Sequence, residues 1–285
     1  MVSEVVELLS GKALVVDATV GAGGHAEALL DAGVGSVLGV DRDDAAAREA
    51  SSRLARFGER FRAVRANFSR LGEAAREAGV DRAGGVLFDL GVSSMQLDQP
   101  TRGFGYRTSG PLDMRMDPDQ PGLTAADVVN TYPEDRLASV IAEYGEERFA
   151  RRISGAIARA RARAPIATTD ELAAIVAGSV PRRRGGAHPA RRTFQAIRIE
   201  VNQELEEIAA SLPQAADLLE PGGRLVVLAY HSLEDRIVKR FVLGEPNLRA
   251  VTKRPIRATE AEVAANPRAR SARLRAAERL EEAAA

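Results

Sequence analysis

The sequence predicts an α/β fold, a Rossmann-like parallel sheet interrupted by an inserted helical domain. Three observations predict it. Short apolar runs alternate with alanine-rich helical stretches as far as Gly91, the first run ends in a glycine turn that opens a helix, and the alternation stops after Gly91 and resumes near Thr193. Strand and helix in turn imply parallel pairing, because a parallel neighbour needs a crossover that a helix supplies.

The runs "ALVVDATV" from Ala13, "SVLGVD" from Ser36, "FRAVRANF" from Phe61 and "GGVLFDLGV" from Gly84 are the expected strands. Between them "GHAEALLDAG", "DDAAAREASSRLARFG" and "SRLGEAAREAG" are helical in composition and closed by glycine. After Gly91, "SSMQLDQPTRGFGYRTSGPLDMRMDPDQPG" is too rich in proline and turn formers for a strand and reads as a loop over the active face. "TAADVVNTY", "PEDRLASVIAEYGEERFARRISGAIARARAR" and "TTDELAAIVAGSV" then form the helical insert. The α/β pattern resumes with a long helix from about Thr193, which Pro213 is expected to break or kink. "GGRLVVLAYHS" is the next buried strand and "LEDRIVKRF" a helix, while "LRAVTKRPIRAT" supplies the last strand or two. The charged, alanine-rich tail from about Glu260 reads as helical or frayed. The expected division is 1–97 for the first part of the core, 98–192 for the insert, and 193–285 for the second part of the core with its tail.

Hydrophobic residues make up 45% of the chain and charged residues 28%, an ordinary globular balance that sets aside disordered and fibrous classes. The absence of cysteine excludes disulfides, thiolate metal sites and a cysteine nucleophile. No apolar run approaches membrane-spanning length and the first residues lack the basic start and apolar centre of a signal peptide, so a cytoplasmic protein is expected. Forty basic and forty acidic side chains cancel, yet their distribution is uneven. From Arg148 to Arg192 eleven arginines face only Asp170 and Glu171, whereas Asp113 to Glu147 holds nine acids against Arg115 and Arg136. A run of arginines is usually a solvated helix face; an excess this large also suits RNA phosphates.

Gly21-Ala22-Gly23-Gly24-His25-Ala26 satisfies G-x-G-x-x-[G/A], and Asp41 closes the second run twenty residues after Gly21. Glycines let a backbone approach a ligand, the helix N-terminus favours negative charge, and the acid accepts ribose hydroxyls. The pattern therefore points to a nucleoside without specifying a chemistry, and the glycines alone also suit a tight strand-to-helix connection. Asp17 separates the possibilities. A carboxylate four residues before the turn repels a pyrophosphate and attracts the sulfonium and ammonium of S-adenosylmethionine. Asp17 is equally the kind of residue that caps a turn. His25 has no second ligand at helical spacing, so a metal site is not expected, and its imidazole reads as a hydrogen-bonding wall of the pocket.

Seven blocks in order carry a resemblance to a known family: "DATVGAGGHAEALL", "VDRDDAA", "ANFSRL", "FDLGVSSMQLDQPTRGFGYRTSGPLDMRMD", "HPARRTFQAIRIEVNQEL", "PGGRLVVLAYHSLEDRIVK" and "NPRARSARLRAAER". The chain resembles, almost end to end, the bacterial 16S rRNA cytosine-N4 methyltransferase family, that of ribosomal RNA small subunit methyltransferase H. The resemblance implies a class I methyltransferase sheet, S-adenosylmethionine as cofactor, and an insert that recognises substrate. It implies that Gly23, Gly24 and His25 touch the cofactor, that Asp41 takes its ribose, that Phe68 lies against the adenine, and that Asp89 and Gln96 complete the site. On its own Phe68 reads as core and Gln96 as a loop residue. The substrate implied is a cytidine in the decoding region of small-subunit rRNA, within an assembled 30S particle. The chain departs from the family in three places: it opens at "MVSEVVELL" without a histidine-proline segment, and it has Arg191 and Met95 where a small hydroxyl residue and a proline are common.

"AYHSLEDR" sets Tyr230, His231, Ser232 and Asp235 just past a buried strand, facing the same crevice. Asp89, or a carbonyl in "DLGV", is the expected acceptor beside the amine, with His231 as proton acceptor after transfer. His231 also fits a capping neighbourhood in which Ser232 caps and Asp235 completes a box. Phe104 and Tyr106 are expected to flank the base. Two other functions remain open, a NAD-dependent oxidoreductase on the glycine turn alone and a non-enzymatic RNA-binding assembly factor on the arginine stretch alone.

Overall fold

The computed structural model describes residues 1–181 and 188–281. In chain order the elements are α1 (Val2–Leu9), β1 (Leu14–Asp17), α2 (Gly24–Asp31), β2 (Ser36–Asp41), α3 (Asp44–Arg53), β3 (Phe61–Arg65), α4 (Leu71–Glu77) and β4 (Ala83–Asp89). There follow α5 (Ser94–Asp98), α6 (Ala125–Thr131), α7 (Glu134–Gly145), α8 (Ala150–Arg161), α9 (Thr169–Ser179) and α10 (Arg191–Asn202). The chain continues through α11 (Glu204–Leu218), β5 (Leu219–Ala229), α12 (Ser232–Gly244), β6 (Leu248–Ala250), α13 (Glu260–Ala265) and β7 (Arg273–Arg279). Two compact units result, Met1–Gly91 with Leu205–Ala285, and Val92–Glu204. Among the described residues no helix is long and apolar enough to cross a membrane.

The first unit is built on a seven-stranded sheet in the order β3-β2-β1-β4-β5-β7-β6. β1 pairs in parallel with β2 and β4, β2 with β3, and β4 with β5, whereas β7 runs antiparallel to both β5 and β6. The central strands carry apolar runs, ended by acids in β1, β2 and β4, because helices cover both faces. Val16, Val86, Phe88, Leu225 and Val227 enter one core with Ile208 and Leu212 of α11 and Val238 of α12. Their neighbours Val15, Leu87, Val226 and Leu228 enter the other with Leu9 of α1 and Leu29 of α2. Period-two alternation thus divides one strand between two cores.

Three expectations need correction. Within the described tail only Glu260–Ala265 is α-helical; Arg273–Arg279 is β7, with Arg273 to Glu278 paired to β5. Its Leu274, Ala276 and Ala277 are buried, small enough to fit beneath packed helices, and the alanines that suggest a helix serve a strand here. "LRAVTKRPIRAT" gives only the three residues of β6 and a single bridge from Ile256 to Leu274. Pro213 neither breaks nor ends α11. A proline removes one backbone bond, and the apolar face of Ile208, Leu212, Ala215 and Ala216 holds the helix through that loss. The break falls at Gln203, in the left-handed region with φ +51°, where it closes α10.

The second unit is a cluster of helices whose core joins Leu137 and Ile141 of α7, Ile153 and Ile157 of α8, Leu172 and Val176 of α9, and Phe194 and Ile197 of α10. Paired Thr124/Asp127 and Thr168/Glu171 caps start α6 and α9. Its limits, at Gly91/Val92 and Glu204/Leu205, differ from the expected 97/98 and 192/193. α10 belongs here because its apolar face fills this core, and because Asn202 at its end accepts from the Met116 amide and donates to the Met114 carbonyl, both at 2.7 Å. Helical period says that a helix is amphipathic and does not say which core it faces.

The stretch from 99 to 124 carries little regular structure, yet it is tightly held. The Gly110 amide donates to Thr169 Oγ1, the Gly110 carbonyl accepts from the Thr169 amide, and a Cβ at Gly110 would overlap the carbonyl oxygen of Pro100. Gly110→Ala is therefore expected to destabilise the protein by about 2–3 kcal/mol, read in calorimetry as a fall of roughly 4–12 °C in melting temperature. An unchanged melt would mean that the loop yields at no cost.

Candidate active site

Parallel strands converge their carboxyl ends on one rim, and the first unit places an acid at three of them: Asp17 ends β1, Asp41 ends β2 and Asp89 ends β4. The turn after β1 needs glycine at two positions, with φ +51° at Gly21 and +81° at Gly23, the residue that precedes α2. Gly23 also packs closely, since a Cβ there would stand 3.0 Å from Leu54 Cδ1, whereas a Cβ on Gly24 would meet open space. The turn is fastened from the next strand. Asp41 accepts from the Gly21 amide through one oxygen and from the Asp43 amide through the other, each at 2.9 Å. Burial raises the pKa of Asp41, against the pull of those two amides. Each of its oxygens keeps a lone pair for a further donor.

Asp17 is 1% exposed and accepts from the Thr19 amide at 3.2 Å. Burial pushes its pKa up to about 7, opposed by His25 and the Thr19 amide. His25, in the first turn of α2, brings Nε2 to 3.4 Å from Asp89 Oδ2. Burial alone would depress its imidazole; the hydrogen bond and charge of Asp89, with the charge of Asp17, outweigh burial and raise the pKa. Nδ1 of His25 is buried and has no hydrogen-bond partner among the described residues. Asp89 is held from two further sides. Its amide donates to Thr19 Oγ1 at 2.6 Å, and the Tyr230 hydroxyl donates to its Oδ1 at 2.7 Å. Burial first, then the Asp89 charge, drives the Tyr230 phenol far above its ordinary value, so it stays a donor.

Of the residues expected from the sequence, Gly23, Gly24, His25, Asp41 and Asp89 share this rim. Phe68, just past β3, is half-buried and meets Phe88 edge-on, with ring centroids 6.1 Å apart. Gln96 belongs to the second unit, where its Oε1 accepts from the Ser93 amide at 3.0 Å and its own amide donates to Ser93 Oγ. Phe104 is buried in the core of the second unit and is not free to flank a base, and Tyr106 stacks on His188 at 4.8 Å. Arg182, Arg183 and Arg184 of the arginine-rich stretch lie outside the described residues.

The capping frame is one residue earlier than expected. His231, not Ser232, is the N-cap of α12, and Glu234, not Asp235, completes the box. Nδ1 of His231 accepts from the Glu234 amide at 3.4 Å, and the Glu234 carboxylate accepts from the amides of Tyr230 and His231 at 2.7 and 3.1 Å. The other ring nitrogen, Nε2, is buried 3.1 Å from Glu234 Oε1 without forming an aligned hydrogen bond. Asp235 instead takes Arg275 of β7 at 2.6 Å. The sequence reading gave Glu234 no role and Tyr230 only a place in the crevice. The H-x-x-E spacing of a capping box was the signal for the first, and nothing local signals the grip of Tyr230 on Asp89.

A sheet in which an antiparallel seventh strand enters between the fifth and sixth, with a glycine turn after the first strand and acids at the strand ends, defines a Rossmann-like class I methyltransferase fold. The chain belongs to the MraW methylase family, whose sequence model matches residues 1–280. It is 50% identical to "Ribosomal RNA small subunit methyltransferase H" of Acidothermus cellulolyticus over 98% of this chain and 92% of that one. The proteins of the same name from Mycobacterium tuberculosis and Carboxydothermus hydrogenoformans are 50% and 47% identical, over 95% and 98% of this chain and 74% and 96% of theirs.

Proposed function

We propose that the protein transfers the methyl group of S-adenosylmethionine to the N4 amine of a cytidine in the decoding region of small-subunit (16S) rRNA, acting in the cytoplasm on RNA within an assembled 30S particle. The observation that carries this reading is the meeting of Asp17, His25, Asp89 and Tyr230 on the rim of the sheet, beside a turn that leaves room for a ligand. The names of the three relatives place their activity on small-subunit rRNA, which supports the choice of substrate.

The residues present fit the cofactor. Buried Nδ1 of His25 awaits a partner, Asp17 opposes a pyrophosphate and suits a cationic amino acid, and Asp41 has lone pairs left for ribose hydroxyls. Gly23, Gly24, His25, Asp41, Phe68 and Asp89 of the first unit are the proposed binding residues, with Phe68 as the wall for the adenine. S-adenosylmethionine supplies a methyl group already activated on a sulfonium. The protein's task is the other reactant, since the lone pair of the cytosine amine is delocalised into the ring. Asp89 is the proposed catalytic acceptor: a carboxylate oxygen drawing on an amino proton helps the nitrogen turn its lone pair out of the ring plane. Tyr230 and His25 hold that carboxylate in place from either side. A base must leave its stack to arrive, which is cheapest from single-stranded or distorted RNA.

His231, the expected proton acceptor, has both ring nitrogens against Glu234, and this geometry favours the cap. His231→Ala is expected to cost about 1 kcal/mol of stability, seen in denaturant unfolding, with single-turnover methylation little changed. A hundredfold slower transfer at unchanged stability would return the ring to proton transfer. The function itself is tested by incubating the protein with methyl-labelled cofactor and small-subunit particles, then mapping the product by mass. Label on N4-methylcytidine is expected. Thermal stabilisation by NADH and none by S-adenosylhomocysteine would overturn the reading in favour of an oxidoreductase.

A further inference from the structure

α8 carries an exposed arginine face that folding does not explain. Arg151 and Arg152 in its first turn and Arg159 in its last are exposed, with Arg148 just before the helix and Arg163 just after it. At 100° per residue Arg152 and Arg159 fall within about 20° of one another and about 10 Å apart along the axis. Ala156 is the residue between them on that face, so the surface between the two guanidinium groups is low. Arg161 points the opposite way and is consumed structurally, donating to the carbonyls of Val129 and Tyr132 at 2.7 and 2.6 Å.

Several arginines elsewhere in the chain are matched with acids: Arg53 with Glu27, Arg115 with Asp113, Arg198 with Glu204 and Arg275 with Asp235. From Arg148 to Thr169 the sequence contains no acid at all. Among the described residues Arg151, Arg152, Arg159 and Arg163 have no carboxylate in salt-bridge range, although Glu134 of α7 packs on Gly155 beside the Arg159 guanidinium. Helix physics does not ask for Arg151 and Arg152 either. The first turn of a helix is its positive end and favours acids, yet here it holds two cations and no anion.

We propose that this face of α8 binds the phosphate backbone of the substrate RNA, with Arg151, Arg152 and Arg159 as the contacting residues. The inference rests on the reading that the substrate is RNA. Exposed guanidinium groups clustered on one side of a helix suit phosphates, and arginine bonds them in a bidentate fashion. Such contacts position the RNA without reading its sequence.

The test uses the full chain with Arg151, Arg152 and Arg159 all changed to Ala, and a second variant with all three changed to Lys. Binding of a fluorescein-labelled small-subunit rRNA fragment is followed by anisotropy from 50 to 300 mM salt, binding of S-adenosylhomocysteine by calorimetry, and methylation on free RNA and on small-subunit particles. The alanine variant is expected to bind RNA at least tenfold more weakly, with the slope of log affinity against log salt reduced by about 2 and cofactor binding retained. The lysine variant is expected to keep most of the affinity and slope. If the folded alanine variant matches wild type in affinity and slope while wild type methylates RNA, this inference fails and the proposed function stands. If that variant binds RNA normally and loses activity on particles alone, the face meets an acidic protein surface instead, and the inference fails. If wild type neither binds nor methylates the RNA, the proposed function falls and takes this inference with it.

Discussion

Asp89→Asn is expected to slow single-turnover methyl transfer by about 10²–10⁴-fold, the range that positioned proton acceptors supply. The substitution keeps the shape and keeps an oxygen for the Tyr230 hydroxyl, which now donates at 2.7 Å. What changes is the other oxygen, the one 3.4 Å from His25 Nε2, which becomes an amide and either donates or turns away. His25 then loses the hydrogen bond and charge that raise its pKa against burial, and its protonated form becomes harder to hold. Rapid-quench measurement with labelled cofactor reads the rate, and calorimetry with S-adenosylhomocysteine separates chemistry from binding. A slowed rate with cofactor affinity kept places Asp89 on the amine. Affinity lost in proportion to rate assigns it to the cofactor alone, and an unchanged rate removes it from the mechanism.

Asp17→Asn is expected to move stability and affinity in opposite directions. The folded pKa is about 7 against an ordinary value of 3.8, so between these pH values the folded protein keeps a proton that the unfolded chain has lost. Stability therefore falls as pH rises through this window, by about 1.4 kcal/mol per unit, and the loss is complete above pH 7. Asparagine is neutral throughout and still accepts from the Thr19 amide. The variant should be more stable than wild type at pH 8, by roughly 2–4 kcal/mol, and show no such advantage at pH 4. The same change removes the negative charge offered to a cationic ligand, worth about 1.5–3 kcal/mol for a hydrogen bond to a charged group, so cofactor should bind roughly ten- to a hundredfold more weakly. Melts at the two pH values and calorimetry at pH 8 decide it. An Asp17→Asn protein no more stable at pH 8 would show that the carboxyl ionises freely in the fold.

The central strands were legible because burial on both faces demands apolar runs, and short runs such as "LVV" and "LVVLA" bounded by glycine turns fit buried strands. β7 was not, because "RLRAAER" has a helix former's composition and becomes a strand only through its neighbours β5 and β6. Asp41 stood out by its distance from Gly21, but its two amide bonds, which make it a brace for the turn, are visible only in three dimensions. Tyr230 and Asp89 lie 141 residues apart, and no local pattern links them. The shift of the cap from Ser232 to His231 has a simpler cause. Histidine is an uncommon N-cap, and Ser232 has its own acid three residues on, Asp235, although the acid that closes the box is Glu234, three residues after His231.

The place of β7 between β5 and β6 has a consequence for the order of synthesis. A ribosome finishes Val92–Glu204, a contiguous segment with its own core, well before it makes Arg273–Arg279. Until Arg273–Arg279 emerge, β5 presents an open edge with Val226 and Leu228 on one side and Val227 on the other, the kind of surface that pairs with a second nascent chain. Closure of the sheet therefore comes after the insert has been made, and premature termination upstream of Arg273 would yield a chain prone to aggregate rather than a weakened enzyme.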